Sequence, residues 1–136
     1  MDGISEEGFR SLFNNLPVAC FGYDRRGRIQ IWNRAYEDLY GFSAREIVNH
    51  SLLKNARYSK DRQRRRETIK AVFSGRSFYS LEWRERRADG SPCFVQTNTY
   101  PLRDVRGKVV MGIGISMDVT AQKRSKKALK QAARRS

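Results

Sequence analysis

A change of period along the chain predicts an α+β domain. Residues 18–23 and 28–32 alternate as strands do, and apolar residues then recur at helical spacing through Ile69, Val72 and Phe73. From Phe78 onward three long runs, 78–87, 92–102 and 108–117, return to strand character. Two strands, a block of helices and three strands imply five antiparallel strands flanked by short helices. The 136 residues contain no long structureless insert, so one core of ordinary size is expected.

Each element carries its own signal. Ser5 suits a helix N-cap, with Glu6 and Glu7 placed in the first turn where the helix dipole favours acids. Phe9, Leu12, Phe13 and Leu16 follow at helical spacing until Pro17 bars continuation. Asp24-Arg25-Arg26-Gly27 has hairpin-turn chemistry between the first two strands. Asn33 can cap a helix bearing Tyr36 and Leu39, and Ser43 with Glu46 forms a capping-box pair for another short helix through Val48. The longest helix of this half is expected over 61–74, where Gly75 is a natural stop. Ala88-Asp89-Gly90-Ser91 and Asp104-Val105-Arg106-Gly107 divide the last three strands, and a final helix begins at Thr120.

Strand alternation sorts the side chains into two faces. One holds Phe21, Tyr23, Ile29, Ile31, Leu81, Trp83, Glu85, Val95, Thr97, Thr99, Gly112, Gly114 and Ser116. The other holds Cys20, Phe94, Tyr100, Ile113, Ile115 and Met117. Periodicity alone does not say which face lines a cavity. The mixed character of the first face is informative, because buried polar groups need partners. Glu85, Thr97, Thr99 and Ser116 either bond one another, Tyr23, Tyr36 or water in a filled core, or serve a small-molecule pocket. Glu85, near a strand end, can also turn outward to Arg86 or Arg87.

The motifs in order are Leu-Pro-Val-Ala-Cys-Phe-Gly-Tyr-Asp (16–24), Gly-Arg-Ile-Gln-Ile-Trp-Asn (27–33) and Tyr40-Gly41-Phe42-Ser43. Arg86-Arg87-Ala88-Asp89-Gly90, Pro101-Leu102-Arg103-Asp104 and Met117-Asp118-Val119-Thr120 follow. Their order and spacing resemble a PAS domain, a small sensor and dimerisation module. The resemblance implies a flanking helix over 1–16, a sensor domain over 17–119 and a basic signalling helix over 120–136. It assigns the pocket to the first sheet face (Phe21, Tyr23, Ile31, Trp83, Glu85, Val95, Thr97, Thr99 and Ser116), with Tyr36, Ile69 and Phe73 from the helices. The outer face (Phe94, Tyr100, Ile113, Ile115 and Met117) would be covered by Phe9 and Phe13 of the first helix, or by a second copy. Asp118 and Thr120 would relay a change to the last helix. That helix would lead to an effector of histidine kinase or cyclic-dinucleotide type.

Other chemistries find little support. His50 is the only histidine, in a loop with no cysteine nearby, so neither a zinc site nor a catalytic triad forms around it. Gly112-Ile113-Gly114 lies inside a strand and is no phosphate loop; its glycines leave room for the layer above. The expectation is a domain that is not an enzyme. Against the cofactor-bearing subfamilies, Leu52 stands where flavin photoreceptors carry a reactive cysteine, and Asn55-Ala56-Arg57 echoes that motif without a thiol. Arg64 or a neighbour stands where haem sensors carry histidine. Covalent flavin and histidine-ligated haem are therefore disfavoured, and the cofactor is unknown.

Two cysteines without CxxC spacing, no signal peptide and no spanning apolar run lead to the expectation of a reducing cytoplasm. The net charge of +14 is concentrated. Between Thr120 and Ser136 stand Lys123, Arg124, Lys126, Lys127, Lys130, Arg134 and Arg135 with no acid, and a second basic run spans 60–66. Such runs are usually solvated faces. The rival reading makes them a surface for nucleic acid or an anionic partner, distinguished by affinity that falls steeply with salt. Apolar pairing of two copies would lack that dependence.

Overall fold

The computed structural model describes residues 4–53 and 59–135. Its elements run α1 (Glu6–Asn14), β1 (Ala19–Tyr23), β2 (Ile29–Trp32), α2 (Arg34–Tyr40), α3 (Ala44–Ile47) and α4 (Ser59–Phe73). Then come β3 (Phe78–Arg86), β4 (Pro92–Arg103), β5 (Val109–Asp118) and α5 (Thr120–Arg135). The five strands form one antiparallel sheet in the order β2-β1-β5-β4-β3. The sequence-derived elements are all present, and α4 begins two residues ahead of the expected start. The Asn55-Ala56-Arg57 echo lies outside the described residues.

Local chemistry sets the boundaries. The Ser5 hydroxyl accepts from Gly8 N at 3.0 Å, and Ser43 with Glu46 closes a reciprocal capping box. In both Asp-initiated hairpins one carboxylate oxygen gathers the turn's amides: Asp24 accepts from Arg26 and Arg28, and Asp104 from Arg106 and Lys108. Gly27 and Gly107 close these turns at φ +82° and +84°, conformations in which a side chain is strained.

The two sheet faces carry separate clusters. The helix-facing cluster includes Phe21, Tyr23, Ile29, Trp32, Tyr36, Tyr40, Ile69, Val72 and Val95. On the opposite face α1 lays Phe13 against Cys20 and Ile113, with Leu16, Ile31, Tyr100, Met111 and Ile115 packed around them. Gly112 and Gly114 leave room not for a separate layer but for the side chains of their cross-strand partners on β1. A methyl group at Gly114 would overlap the Phe21 ring, and one at Gly112 the Tyr23 ring.

One expected pocket residue is misplaced by simple alternation. Ile31 belongs to the outer cluster under α1, and Trp32 takes the inner face. The cause is an irregularity in the β1–β2 ladder: Phe21 pairs Trp32 and Gly22 pairs Ile31, but Tyr23 pairs Ile29. The extra residue, Gln30, breaks the period of two, so Ile29 and Ile31 no longer share a face.

Asn33 lies between the layers, fully buried. Its side-chain oxygen accepts from Cys20 N at 2.9 Å and Tyr36 N at 3.2 Å. Its side-chain nitrogen donates to Phe13 O at 3.2 Å and Val18 O at 2.9 Å. Replacing Asn33 with alanine removes four bonds; Tyr36 N keeps the Asn33 carbonyl and Phe13 O keeps Leu16 N, so the loss falls chiefly on Cys20 N and Val18 O, each costing about 1–3 kcal/mol if buried without a partner. We expect Asn33→Ala to lose roughly 3 kcal/mol or more in urea unfolding, with a parallel drop in thermal midpoint. A change of under half a kcal/mol would show that these bonds are readily replaced.

Candidate functional site

Between the sheet and helices α2, α3 and α4 lies a cavity of about 310 Å³. Aromatic rings form much of its wall. Phe21 and Tyr23 rise from β1 and Trp32 from β2, while Tyr36 and Tyr40 descend from α2 and Trp83 enters from β3. Tyr36 and Tyr40, one helical turn apart, stack at 5.3 Å between ring centroids, and Trp32 sits 4.3 Å from Tyr36. Phe21 meets Tyr36 edge-on at 5.1 Å.

Most of the expected pocket residues border this space: Phe21, Tyr23, Tyr36, Ile69, Trp83, Glu85, Thr97 and Thr99. Val95 and Ser116 are buried behind the wall rather than on it. Phe73 is half-buried beside the cavity, edge-on to Tyr23 at 6.2 Å. Ile31 lies on the opposite face of the sheet, as described above.

The inner hydroxyls satisfy one another. Tyr36 Oη donates to Ser116 Oγ, which bonds Thr97 Oγ1 at 2.8 Å, and Tyr23 Oη bonds Thr99 Oγ1 at 2.6 Å. Burial pushes the Tyr23 phenol up to about 12 and the Tyr36 phenol further, so both stay neutral hydroxyls. Both cysteines are free, and burial raises each thiol to about 11, leaving Cys20 and Cys93 as inert packing groups.

The principal charge in the cavity comes from a residue that sequence reading assigned to a solvated run. Arg65, on α4, is buried, and its Nη2 pairs with Glu85 Oε1. Its Nη1 donates to Leu52 O at 2.9 Å, its head lies 5.0 Å from the centroid of Trp83, and its Nε makes no hydrogen bond. Glu85 therefore turns inward to α4, not outward to Arg86 or Arg87. Burial raises its pKa, and Arg65 offsets only part of that shift. Neighbouring Arg64 is exposed and stacks on Trp83 at 4.1 Å, donating to Glu82 O at 2.8 Å. The spacing from Arg62 through Arg66 gave no hint that one of these arginines faces in. Helical phase could have found it, since Arg65 precedes Ile69 and Val72 by four and seven residues on the buried face.

The cavity leads to the junction before α5. Arg87, at the rim, donates to Asp118 Oδ2 at 2.5 Å, while Asp118 Oδ1 accepts from Thr120 N at 2.9 Å. Burial alone would raise the Asp118 carboxyl, but the bonds from Thr120 and Arg87 outweigh it and hold the group below its ordinary value. Thr120 Oγ1 accepts from Phe94 N at 2.9 Å, and Val119 N donates to Phe94 O at 2.9 Å. Lys123 then pairs with Glu82 at 2.5 Å and lies 5.4 Å from the centroid of Phe94. Asp118, expected as a relay residue, thus also holds Arg87, which the sequence did not single out. Phe94 is on the outer face as expected, with the start of α5 over it. His50 is an exposed loop residue whose backbone carbonyl accepts from Ile29 N at 3.0 Å. Among the described residues, no helix is long and apolar enough to cross a membrane.

Comparison with known proteins agrees with this geometry. The chain aligns with a light-oxygen-voltage receptor described as RNA-binding at 24% identity and a TM-score of 0.76, covering 92% of this chain and 35% of that one. It thus spans about a third of that receptor's length. The PAS domain of a Colwellia psychrerythraea protein aligns at 23% identity and a TM-score of 0.71, covering 85% of this chain and 97% of its own. The PAS domain of Bordetella pertussis BvgS aligns at 20% and 0.66, covering 93% and 96%. No curated protein matches the sequence. The profile of the family described as PAS fold matches residues 13–124, and with its five-stranded sheet and helix-lined cavity the chain belongs to the PAS family of sensory and signalling domains.

Proposed function

We propose that the chain is a sensory and dimerisation unit, without catalysis of its own, that couples its cavity to α5. The observation that carries this reading is the shared use of Arg87, which borders the cavity and also holds Asp118 at the root of α5. A change in cavity occupancy that moves the end of β3 alters the same ion pair that anchors the helix. The helix would pass this change to an effector of histidine kinase or cyclic-dinucleotide type, in the cytoplasm.

Asp118→Ala tests the coupling. The substitution removes the bond to Thr120 N and the partner of Arg87. Losing such a cap costs about 1 kcal/mol, small beside a domain stability of about 5–15 kcal/mol but enough to change a two-state output several-fold. In a fusion of residues 1–136 to a reporter effector, we expect the variant to lose the difference between basal and stimulated output while keeping its fold. Equal output from both proteins, with equal hydrogen-exchange protection in α5, would reduce the junction to a passive connection.

Dimerisation is proposed through the outer face and α1. Phe13 covers Cys20 and Ile113, yet Ile4 just before α1, Phe9 and Leu12 on α1 and Met117 on β5 remain exposed, a distribution that marks an interface. Wild type should scatter light as a dimer at micromolar concentration and Met117→Glu as a monomer. A monomeric wild type at high micromolar concentration overturns this assignment.

A second reading is favoured by α5 itself. Its basic residues beyond Lys123 are all exposed and the helix carries no acid, an arrangement suited to nucleic acid. Fluorescence anisotropy with a labelled RNA hairpin would then give an affinity falling steeply with salt, and Lys126→Gln/Lys130→Gln would flatten that slope. A slope unchanged by these substitutions excludes α5 as the contact surface.

A further inference from the structure

The carboxylate of Glu85 is only half used. Its Oε1 accepts from Arg65 Nη2, and no described residue donates to its Oε2. Among the described residues, Arg65 Nε is the only buried side-chain nitrogen or oxygen that is both unbonded and cut off from solvent. Oε2 therefore keeps open surface, and Glu85 borders the cavity. Arg65 is turned to other partners: Nη1 donates to Leu52 O, and the shielded Nε does not face the cavity. What the pair offers an entering molecule is an acceptor oxygen.

The other polar groups of the wall weigh less. The Tyr23–Thr99 and Tyr36–Ser116–Thr97 hydroxyls bond one another. Tyr40 Oη and Trp83 Nε1 bond no described residue, but both are neutral, and burial keeps the Tyr40 phenol protonated. A hydrogen bond to an ionised group is roughly twice as strong as one between neutral groups, so Oε2 sets the chemical preference. Trp83 enters the cavity from β3 two residues before Glu85, and Tyr36 and Tyr40 both lie within electrostatic range of the carboxylate. The acceptor is thus framed by flat aromatic surface. The volume of about 310 Å³ falls at the small end of the range for ligand sites, roughly 300–1,000 Å³.

We propose that the cavity binds a small, flat heteroaromatic molecule whose ring N–H donates to Glu85 Oε2. The inference rests on the reading of this cavity as a ligand site. The aromatic walls pack against the ring system. The N–H meets a carboxylate oxygen for which Arg65 already supplies the counter-charge, so an uncharged donor suffices. A ring of the same shape without the N–H covers Oε2 and returns no bond, leaving a charged acceptor desolvated and unpaired. An anionic head group meets the same oxygen as a like charge.

Matched probes test this. The compounds are indole and benzofuran, which share one bicyclic shape and differ by an N–H against a ring oxygen. Binding to the full chain is followed at about pH 8, above the ordinary carboxylate range, by calorimetry and by the side-chain N–H resonances of Trp32 and Trp83. We expect indole to bind at least about ten-fold more tightly than benzofuran, the low end of what a hydrogen bond to a charged group supplies. In Glu85→Gln the amide oxygen can keep Arg65 while the amide nitrogen, a donor, replaces Oε2, so the preference for indole should vanish with amide dispersion retained. Should that variant fail to fold, Arg65→Met/Glu85→Leu removes both charges together and should likewise abolish the preference. An equal or reversed preference in the wild type overturns the donor assignment on its own, whether or not either variant folds, and leaves the cavity a ligand site of other specificity. A preference for indole that persists in a folded variant removes Glu85 as its source and overturns the assignment too. If neither probe shifts the Trp32 and Trp83 resonances at millimolar concentration, both the donor assignment and the ligand-site reading fail.

Discussion

Asn33 uses its whole carboxamide, two acceptor bonds and two donor bonds, on backbone groups of α1, the approach to β1, β1 itself and the first turn of α2. No other single side chain of similar size can do this. Aspartate lacks the donors, and leucine would make none of the four bonds. The constraint propagates. With the start of β1 fixed against α2, Phe21 stands beneath Tyr36 with Tyr23 beside it, and β5 can pass them only with glycine at 112 and 114. The shape of the cavity follows from this sequence of contacts.

The interior polar groups then divide into two kinds. The hydroxyls of Tyr23, Tyr36, Thr97, Thr99 and Ser116 close on themselves, which rigidifies the walls. The Arg65–Glu85 pair does not close in the same way, since burial disfavours the ionised carboxylate and Arg65 keeps an unmatched donor. Buried ion pairs contribute little net stability when their geometry leaves groups unpaired. A pair of this kind is better placed to respond than to hold the fold together.

Much of this was legible in the sequence because it depends on local chemistry. Caps at Ser5, Asn33 and Ser43, and the aspartate-led turns, are short-range devices whose residues announce them. Strand alternation sorted β3, β4 and β5 correctly, since their cross-strand register runs regularly through the stretch that faces the helices. It failed at Ile31, where one extra residue inverted the phase and sequence gave no sign of it. It also failed at Arg65, where a run of like charges hid a member turned inward. The Arg87–Asp118 pair joins residues 31 apart in the chain, and nothing short of the β3–β4–β5 arrangement brings them together.

The absence of slack between β5 and α5 has a mechanical meaning. Asp118 still pairs with Val95 in the sheet, and Thr120 is already helical. Strand and helix therefore behave as one rod with a fixed angular phase. A slip of β5 by a single residue would move its side chains to the opposite face of the sheet. Because a helix turns once in 3.6 residues, the same slip would rotate the lysines of α5 by about 100°. Motion at this junction is thereby divided into steps, and a small continuous strain in the sheet is either absorbed or delivered as one discrete step of the helix face.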